Sequence, residues 1–138
     1  MRIERVIKPD LQILHYVEHK YRTLPTFEKF TLTPATIDRI MKHCDVHVAY
    51  DNQDTIKAMM VTFFGRNFLA NDIKTLTLEA IVSDSPIATV ILFELFVDMG
   101  KKYADHLIMS KGVSTNLKDS TLIKLGFKPL ETIYKLEV

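Results

Sequence analysis

Hydrophobic positions along the chain switch between a period of two and a helical period, and these switches divide the chain into elements. Short alternating stretches predict strands, while apolar residues spaced three and four apart predict helices. In the first half this pattern predicts a strand, two helices and a β-hairpin, at Arg2–Ile7, Pro9–Arg22, Thr33–Cys44, Val46–Tyr50 and Thr55–Phe64. The turn residues Asp51–Asp54 join the last two strands.

The second half predicts a strand, a long helix, a strand, a short helix and a closing strand. These elements are Ile73–Val82, Ile87–Tyr103, Asp105–Ser110, Asn116–Leu125 and Leu130–Val138, and we expect the strand Asp105–Ser110 to be buried. The side chains of the strand Ile73–Val82 are predicted to alternate strictly between the two faces of the sheet, with Glu79 and Ile81 on one face and Ala80 and Val82 on the other. The segment Ser83–Pro86 supplies a stop and side chains that can cap the next helix. The long helix is apolar around most of its circumference, so we expect it to be covered on most sides.

Length and composition fit one mixed α/β domain spanning residues 1–138, with the element order β-α-α-β-β-β-α-β-α-β. The 138 residues are 47% hydrophobic, with 18 basic and 17 acidic side chains and a net charge of +1. This balance predicts no nucleic-acid binding, and the longest apolar run is too short to span a membrane. With Cys44 as the single cysteine and no signal-peptide pattern at the start, we expect a soluble, cytoplasmic protein.

Two stretches of the second half carry a family resemblance. They are "TLTLEAIV" before the long helix and "LIKLGFKPLETIYKLEV" at the end, in which "KLGFKP" is the more specific piece. With the element order, they resemble the GNAT superfamily of acyltransferases. The resemblance implies a GNAT-like acyl-CoA N-acyltransferase fold, with acetyl-CoA as the cofactor if the protein is an active enzyme.

GNAT enzymes hold the CoA pyrophosphate with a loop similar to Arg/Gln-x-x-Gly-x-Gly/Ala, where backbone amides at a helix start point at the phosphates. The corresponding segment here, residues 83–90, reads "SDSPIATV" and contains no glycine, arginine or glutamine. Pro86 lacks an amide donor, and Asp84 adds a negative charge where the pyrophosphate would lie. We therefore expect no bound cofactor. If acetyl-CoA does bind, the resemblance implies contacts at Ile81, Val82, Ile87, Ala88 and Thr89.

The resemblance also implies two catalytic roles, and this sequence fills one of them. Glu79 falls where GNAT enzymes often carry a glutamate that deprotonates the amine, although a strand carboxylate that faces solvent or pairs with a lysine is the simpler interpretation. The position of the family's tyrosine acid is taken by Leu122, which has no proton to give. Tyr103 and Tyr134 lie elsewhere in the expected fold.

Other polar clusters have simpler structural interpretations. Ser85 and Thr89 are expected to cap the helix rather than bind phosphate. His15 and His19, four residues apart on a helix, lack a third ligand, and alternation should separate the members of the cluster His43, Cys44, Asp45 and His47. We therefore predict no metal site. Cys44 lacks the surroundings of a nucleophile.

Exposed aromatic residues suggest a contact surface. We expect an apolar patch near Phe63, Phe64, Arg66 and Phe68 to bind a protein partner or a second copy of the chain. One hypothesis is a non-catalytic interaction or structural protein, similar to small GNAT-like proteins of tailed bacteriophages, some of which are virion components. The alternative is an active acetyl-CoA-dependent N-acetyltransferase with Glu79 as the base, and a weaker one is a sensor of acyl-CoA.

Overall fold

Five strands and four helices form the part of the chain that the computed structural model describes, which is residues 1–24, 27–66, 73–109, 118–129 and 136. In chain order the elements are β1 (Arg2–Arg5), α1 (Leu11–Arg22), α2 (Pro34–His43), β2 (Cys44–Tyr50), β3 (Ile56–Arg66), β4 (Lys74–Ser83), α3 (Pro86–Tyr103), β5 (His106–Met109) and α4 (Asp119–Lys124). This confirms the predicted order through the last helix. The predicted closing strand at 130–138 lies almost wholly outside the described residues.

The sheet follows the order of the chain. Its strand order is β1-β2-β3-β4-β5, with antiparallel pairing from β1 to β4 and parallel pairing between β4 and β5. Hairpin turns can join antiparallel strands, but two parallel strands need a crossover, and α3 provides it here. Parallel pairing joins Thr75–Leu78 to His106–Met109.

Each face of the sheet carries its own hydrophobic core. The first core packs beneath α1 and α2, and its buried members are Val6, Ile13, Val17, Val46, Val48, Tyr50, Ile56, Met59, Val61, Ala80 and Val82. The second core packs beneath α3 and α4, and its buried members are Ala49, Ala58, Met60, Leu76, Leu78, Ile81, Ala88, Leu92, Phe93, Phe96 and Leu122. Neighbouring residues of one strand, such as Met59 and Met60, therefore serve different cores.

Local signals in the sequence set the helix starts and the hairpin turn. The side chains of Asp10, Thr33 and Ser85 cap α1, α2 and α3 by accepting hydrogen bonds from amides of the first turn. In the hairpin, one carboxylate oxygen of Asp51 accepts from the amides of Gln53 and Thr55, at 2.8 and 3.0 Å. These bonds lower the pKa of Asp51. The expected cap at Ser85 and the predicted turn are thus confirmed.

Two expectations about burial are wrong. Helix α3 packs one face on the sheet and leaves Ile87 and Val90 67% and 50% exposed, so it is not covered on most sides. Strand β5 alternates between exposed and half-buried residues instead of being buried. Both differences arise because long apolar runs record hydrophobicity, whereas burial depends on which neighbouring elements cover them. In the described residues, no helix is long and apolar enough to cross a membrane.

Helix α3 approaches β5 closely at a buried glycine. A β-carbon placed on Gly100 would collide with the side chain of Leu107. We therefore expect Gly100→Ala to lower the free energy of unfolding by about 1–3 kcal/mol, the usual cost of overpacking. Chemical denaturation measures the change. Leu107→Ala serves as the partner variant, because removing that bulk should make the double mutant more stable than the sum of the two single changes. Simple additivity would contradict the close contact.

Strand β2 buries a histidine that has no hydrogen-bond partner at Nδ1 in the described structure. Burial lowers the pKa of His47 below its usual 6.5, with Arg5 adding to the effect and Asp45 opposing it. Because protonation favours the unfolded chain, stability should be complete above about pH 6.5 and decline as the pH falls further.

This pH dependence can be measured by denaturant titrations between pH 7.5 and 5. We expect His47→Leu to flatten the decline in the free energy of unfolding, while His43→Leu, which changes an exposed imidazole, should leave it in place. An unchanged slope in His47→Leu would mean that another group causes the decline.

Candidate functional site

Where β4 pairs with β3, β4 has one extra residue between two successive pairs, and that residue is Glu79. Val61 pairs with Ala80, whereas the next residue of β3, Thr62, pairs with Leu78, so Glu79 has no partner on β3. A bulge of this kind bends the strand and redirects a side chain, and bulges are common beside active sites. Glu79 is exposed.

The bulge changes the face that each side chain of β4 occupies. Leu78 and Ile81 belong to the second core, whereas Ala80 and Val82 belong to the first. The predicted strict alternation across Ile73–Val82 is therefore wrong, because the extra residue shifts the phase of the strand.

Glu79 lies near two other titratable groups. Burial raises the pKa of Tyr21, and the negative charge of Glu79 adds to the increase. Burial also raises the pKa of the Cys44 thiol, again with the charge of Glu79 and then that of Asp45 adding to it. Both groups therefore keep their protons at neutral pH, which makes Cys44 a poor nucleophile.

An aromatic cluster stands beside Glu79 at the end of α1. The ring of Tyr21 stacks on Phe30 with centroids 4.7 Å apart, and it meets the edge of Phe27 at 5.7 Å. Two polar contacts hold this segment to α1, because Arg22 Nε donates to the carbonyl of Phe30 and a Glu18 carboxylate oxygen accepts from the amide of Leu32. The segment after α1 is thus fixed against the helix next to Glu79.

The position of the family's tyrosine acid lies in α4. Leu122 is buried in the second core at that position. Tyr103 lies at the end of α3 and is 56% exposed, and Tyr134 lies outside the described residues. The phenol whose pKa responds to the charge of Glu79 is that of Tyr21, which comes from α1.

The start of α3 satisfies its own backbone donors. The amide of Ser85 donates to the hydroxyl of Ser83 at 3.0 Å, and the amide of Ala88 donates to the hydroxyl of Ser85 at 3.3 Å. The amide of Thr89 donates to the carbonyl of Ser85 at 3.0 Å. Pro86 has no amide hydrogen. The amide of Asp84 donates to the carbonyl of Lys57 at 2.8 Å. Among the described hydrogen bonds, the amide of Ile87 is therefore the one amide of residues 84–89 that has no protein acceptor.

A lysine from α1 balances part of the charge in front of α3. The ammonium group of Lys20 forms an ion pair with the carboxylate of Asp84. This contact ties α1 to the segment between β4 and α3. The sequence did not point to Lys20, because the two residues are far apart in the chain and neither belongs to a recognisable motif.

The five candidate cofactor residues lie along the end of β4 and the start of α3. Ile81 and Val82 are buried with their side chains in opposite cores, so only their backbones could contact a ligand. β4 has no β5 partner beyond Leu78 in the described residues. Ala88 is fully buried, Ile87 is exposed, and the hydroxyl of Thr89 donates to the carbonyl of Ser85 at 3.1 Å. The expected capping role of Ser85 is confirmed.

The remaining candidates are spread over the surface. In the residues that the structure describes, no group of three or more His, Cys, Asp or Glu side chains is placed to hold a metal ion. Phe63 and Phe64 are 38% and 42% exposed. They are consecutive residues of β3 and so lie on opposite faces of the sheet, which means that they do not form one continuous patch. Phe68 lies outside the described residues.

Comparisons with known proteins identify the fold. No protein-family model and no curated protein matches the chain. Solved structures do match, among them a mutant of the BH1408 protein from Bacillus halodurans, at 18% identity and a TM-score of 0.69, covering 100% of this chain and 99% of that one. A transcriptional regulator from Bacillus halodurans C-125 matches at 13% identity and a TM-score of 0.73, covering 99% and 100%.

An enzyme is also among the matching structures. The aminoglycoside N-acetyltransferase AAC(6')-Iy in complex with CoA matches at 12% identity and a TM-score of 0.64, covering 99% of this chain and 98% of that one. Identities this low establish the fold alone. The protein is thus a mixed α/β protein of the acetyltransferase class of folds. More specifically, it has the GNAT-like acyl-CoA N-acyltransferase fold that the sequence predicts.

Proposed function

We propose that this protein uses the GNAT scaffold as an interaction or structural component and does not bind acetyl-CoA efficiently. The observation that carries the proposal is the self-capped start of α3. Where the fold family would place a pyrophosphate, the side chains and carbonyls of this chain already accept the amides of Ser85, Ala88 and Thr89.

The residues present fit a pyrophosphate poorly. An anion at a helix start needs several amides that converge on it, and among the hydrogen bonds of the described residues only the amide of Ile87 has no protein acceptor in residues 84–89. Each internal bond that the ligand displaced would cost about 1 kcal/mol. Lys20 is the nearby cation, but it already pairs with Asp84.

An interaction role also fits the setting that the resemblance suggests. Small GNAT-like proteins of tailed bacteriophages are similar in size, and some are virion components. We therefore propose a protein made in the cytoplasm, where Cys44 stays a free thiol, that assembles with a protein partner or with copies of itself.

Calorimetric titration with acetyl-CoA tests the proposal directly. We expect the unmodified protein to show no saturable binding tighter than millimolar, because the first turn of α3 offers too few free donors. Saturable binding in the micromolar range would contradict the proposal and favour the enzyme or the acyl-CoA sensor.

A double variant tests whether the charge and the missing amide at the start of α3, rather than a lack of space, prevent acetyl-CoA from binding. Asp84→Asn combined with Pro86→Gly removes the negative charge and restores one amide, and we expect at least a tenfold gain in acetyl-CoA affinity. Asp98→Asn is the matched control, since it removes an exposed charge from the same helix at a distance from its start. An equal gain in both variants would mean that net charge alone controls binding.

The second candidate is an N-acetyltransferase, and the bulge at Glu79 favours it. Two observations support a role for Glu79 as a general base: its carboxylate is exposed on a bulged strand, and the neighbouring stretch of β4 has no β5 partner in the described residues. Tyr21 and Cys44 surround it, and their own protons are firmly held. For this candidate Glu79 would take the proton of an acceptor amine.

Substitution of Glu79 tests the enzyme candidate independently of cofactor affinity. If acetyl-CoA is turned over with any amine, Glu79→Gln should reduce kcat by about 100-fold or more, since proton transfer by a positioned base contributes at least that factor. Thr77→Val, on the same strand, is the control and should keep most of the activity. Unchanged turnover in Glu79→Gln would remove Glu79 from the mechanism.

A further inference from the structure

Strand β1 lies at one end of the sheet, and its outer edge pairs with no other strand in the described residues. The hydrogen bond from the amide of Val6 to the carbonyl of Val46, at 2.8 Å, fixes which backbone groups face outward. In an antiparallel pair, every second residue directs its N–H and C=O groups at the partner strand. The even-numbered residues of β1 therefore bond to β2, which leaves the N–H and C=O groups of Ile3 and Arg5 at the open edge.

Two charged side chains of opposite sign lie along this edge. Arg2 and Glu4 are on the α1 side of the sheet, because they pair with residues of the first core on β2. Arg2 Nε contacts a Glu4 carboxylate oxygen at 3.0 Å, and both side chains are about half-exposed. Arg2 Nη1 also donates to a carboxylate oxygen of Asp54 at 2.6 Å. Charges on an edge strand normally discourage pairing with another strand, so the arrangement of these charges decides what the edge can bind.

Two copies of this edge fit together in one antiparallel register. Residues with outward-facing backbone groups form the hydrogen-bonded pairs, so a twofold axis at Ile3 pairs Ile3 with itself and Arg5 with Met1 of the second copy. In this register Arg2 lies opposite Glu4 of the second copy, and Glu4 lies opposite Arg2. These are the pairs without backbone bonds, in which the side chains approach most closely. Since Arg2 also contacts Glu4 within each copy, the four charges alternate in sign around a square.

The neighbouring registers bring like charges together. A slide of two residues in one direction places Arg2 opposite Arg2 of the second copy, and a slide in the other direction places Glu4 opposite Glu4. Like charges directly opposite each other are destabilising. A slide of one residue would match outward-facing groups with inward-facing ones, so the backbone bonds could not form. The charge pattern therefore selects a single register, and it selects a second copy of this chain as the partner.

We propose that the outer edge of β1 binds the same edge of a second copy of this chain, which joins the two sheets across a twofold axis at Ile3. This inference rests on the proposed function and names a second copy as the protein's partner. In such strand addition the backbone hydrogen bonds supply affinity, and the complementary charges of Arg2 and Glu4 supply specificity. The other face of β1 does not oppose the pairing. Arg5 is already paired with Asp45 at 2.6 Å, and it lies opposite the uncharged side chain of Met1.

Single charge reversals test the register. Arg2→Glu places glutamates opposite each other across the axis, and Glu4→Arg does the same with arginines. We therefore expect each variant alone to dimerise at least about tenfold more weakly than the unmodified chain. An equimolar mixture of the two variants should dimerise as the unmodified chain does, because one copy then carries two glutamates and the other two arginines. Sedimentation velocity over a concentration series measures each dissociation constant.

Controls separate this edge from the rest of the surface. Glu94→Arg reverses an exposed charge on α3 and should leave the dissociation constant unchanged. Both edge variants should keep nearly the same denaturation midpoint as the unmodified chain, since the ion pairs that they break are exposed. Ile3→Pro deletes an outward-facing N–H, which an edge strand tolerates, and should abolish the dimer. Ile3→Ala keeps that N–H and should weaken the dimer far less.

Four results would overturn the proposal. They are an unmodified chain that stays monomeric at every concentration, a dimer that survives Arg2→Glu or Ile3→Pro, a mixture of Arg2→Glu and Glu4→Arg that stays monomeric, and an equal weakening by Glu94→Arg. None of them involves acetyl-CoA. Micromolar binding of acetyl-CoA by a chain that dimerises through β1 would instead contradict the proposed function and leave the edge pairing in place.

Discussion

The two-sided burial of strand β4 is the constraint on which the rest of the structure depends. β4 is hydrogen-bonded to β3 on one edge and to β5 on the other, and it supplies apolar side chains to both cores. A charged residue inside such a strand has to leave the cores, because burying an unpaired carboxylate costs several kcal/mol. A bulge loses a single ladder pair, which costs about 1 kcal/mol. The bulge at Glu79 is therefore the cheaper arrangement, and it exposes the carboxylate that the enzyme candidate would use.

The end of β4 also decides what the start of α3 can do. A helix start has free amides that either the chain or a ligand can satisfy. When Ser83 and Ser85 accept them, the helix is stable without any ligand, since each cap contributes about 1 kcal/mol. A glycine-rich loop would leave the same amides open until an anion arrives. In this chain the amide hydrogens that cap α3 are the same ones that a diphosphate would need, so they can serve only one of the two.

What could be predicted from the sequence is mostly what local interactions determine. The caps at Asp10, Thr33 and Ser85 and the turn at Asp51 act over two to four residues, so the residue types alone identify them. The sequence contains no local signal for the bulge at Glu79, because β4 has neither glycine nor proline there and the register depends on pairing with β3. The position of Glu79 followed from the family resemblance, but its neighbours Tyr21 and Cys44 come from other elements. Only tertiary packing brings them together.

The two cores differ in how tightly the helices above them are packed. Beneath α3, Leu92 and Phe96 are completely buried, and Gly100 lets the helix reach Leu107. Beneath α2, no residue of the helix is fully buried, and a pocket remains. Since elements with few buried contacts open at low cost in free energy, α2 can move while the α3 side holds the fold. The side of the sheet that carries α2 is therefore the more easily opened one, whereas the α3 side, whose helix start is satisfied by its own chain, is the more rigid part of the fold.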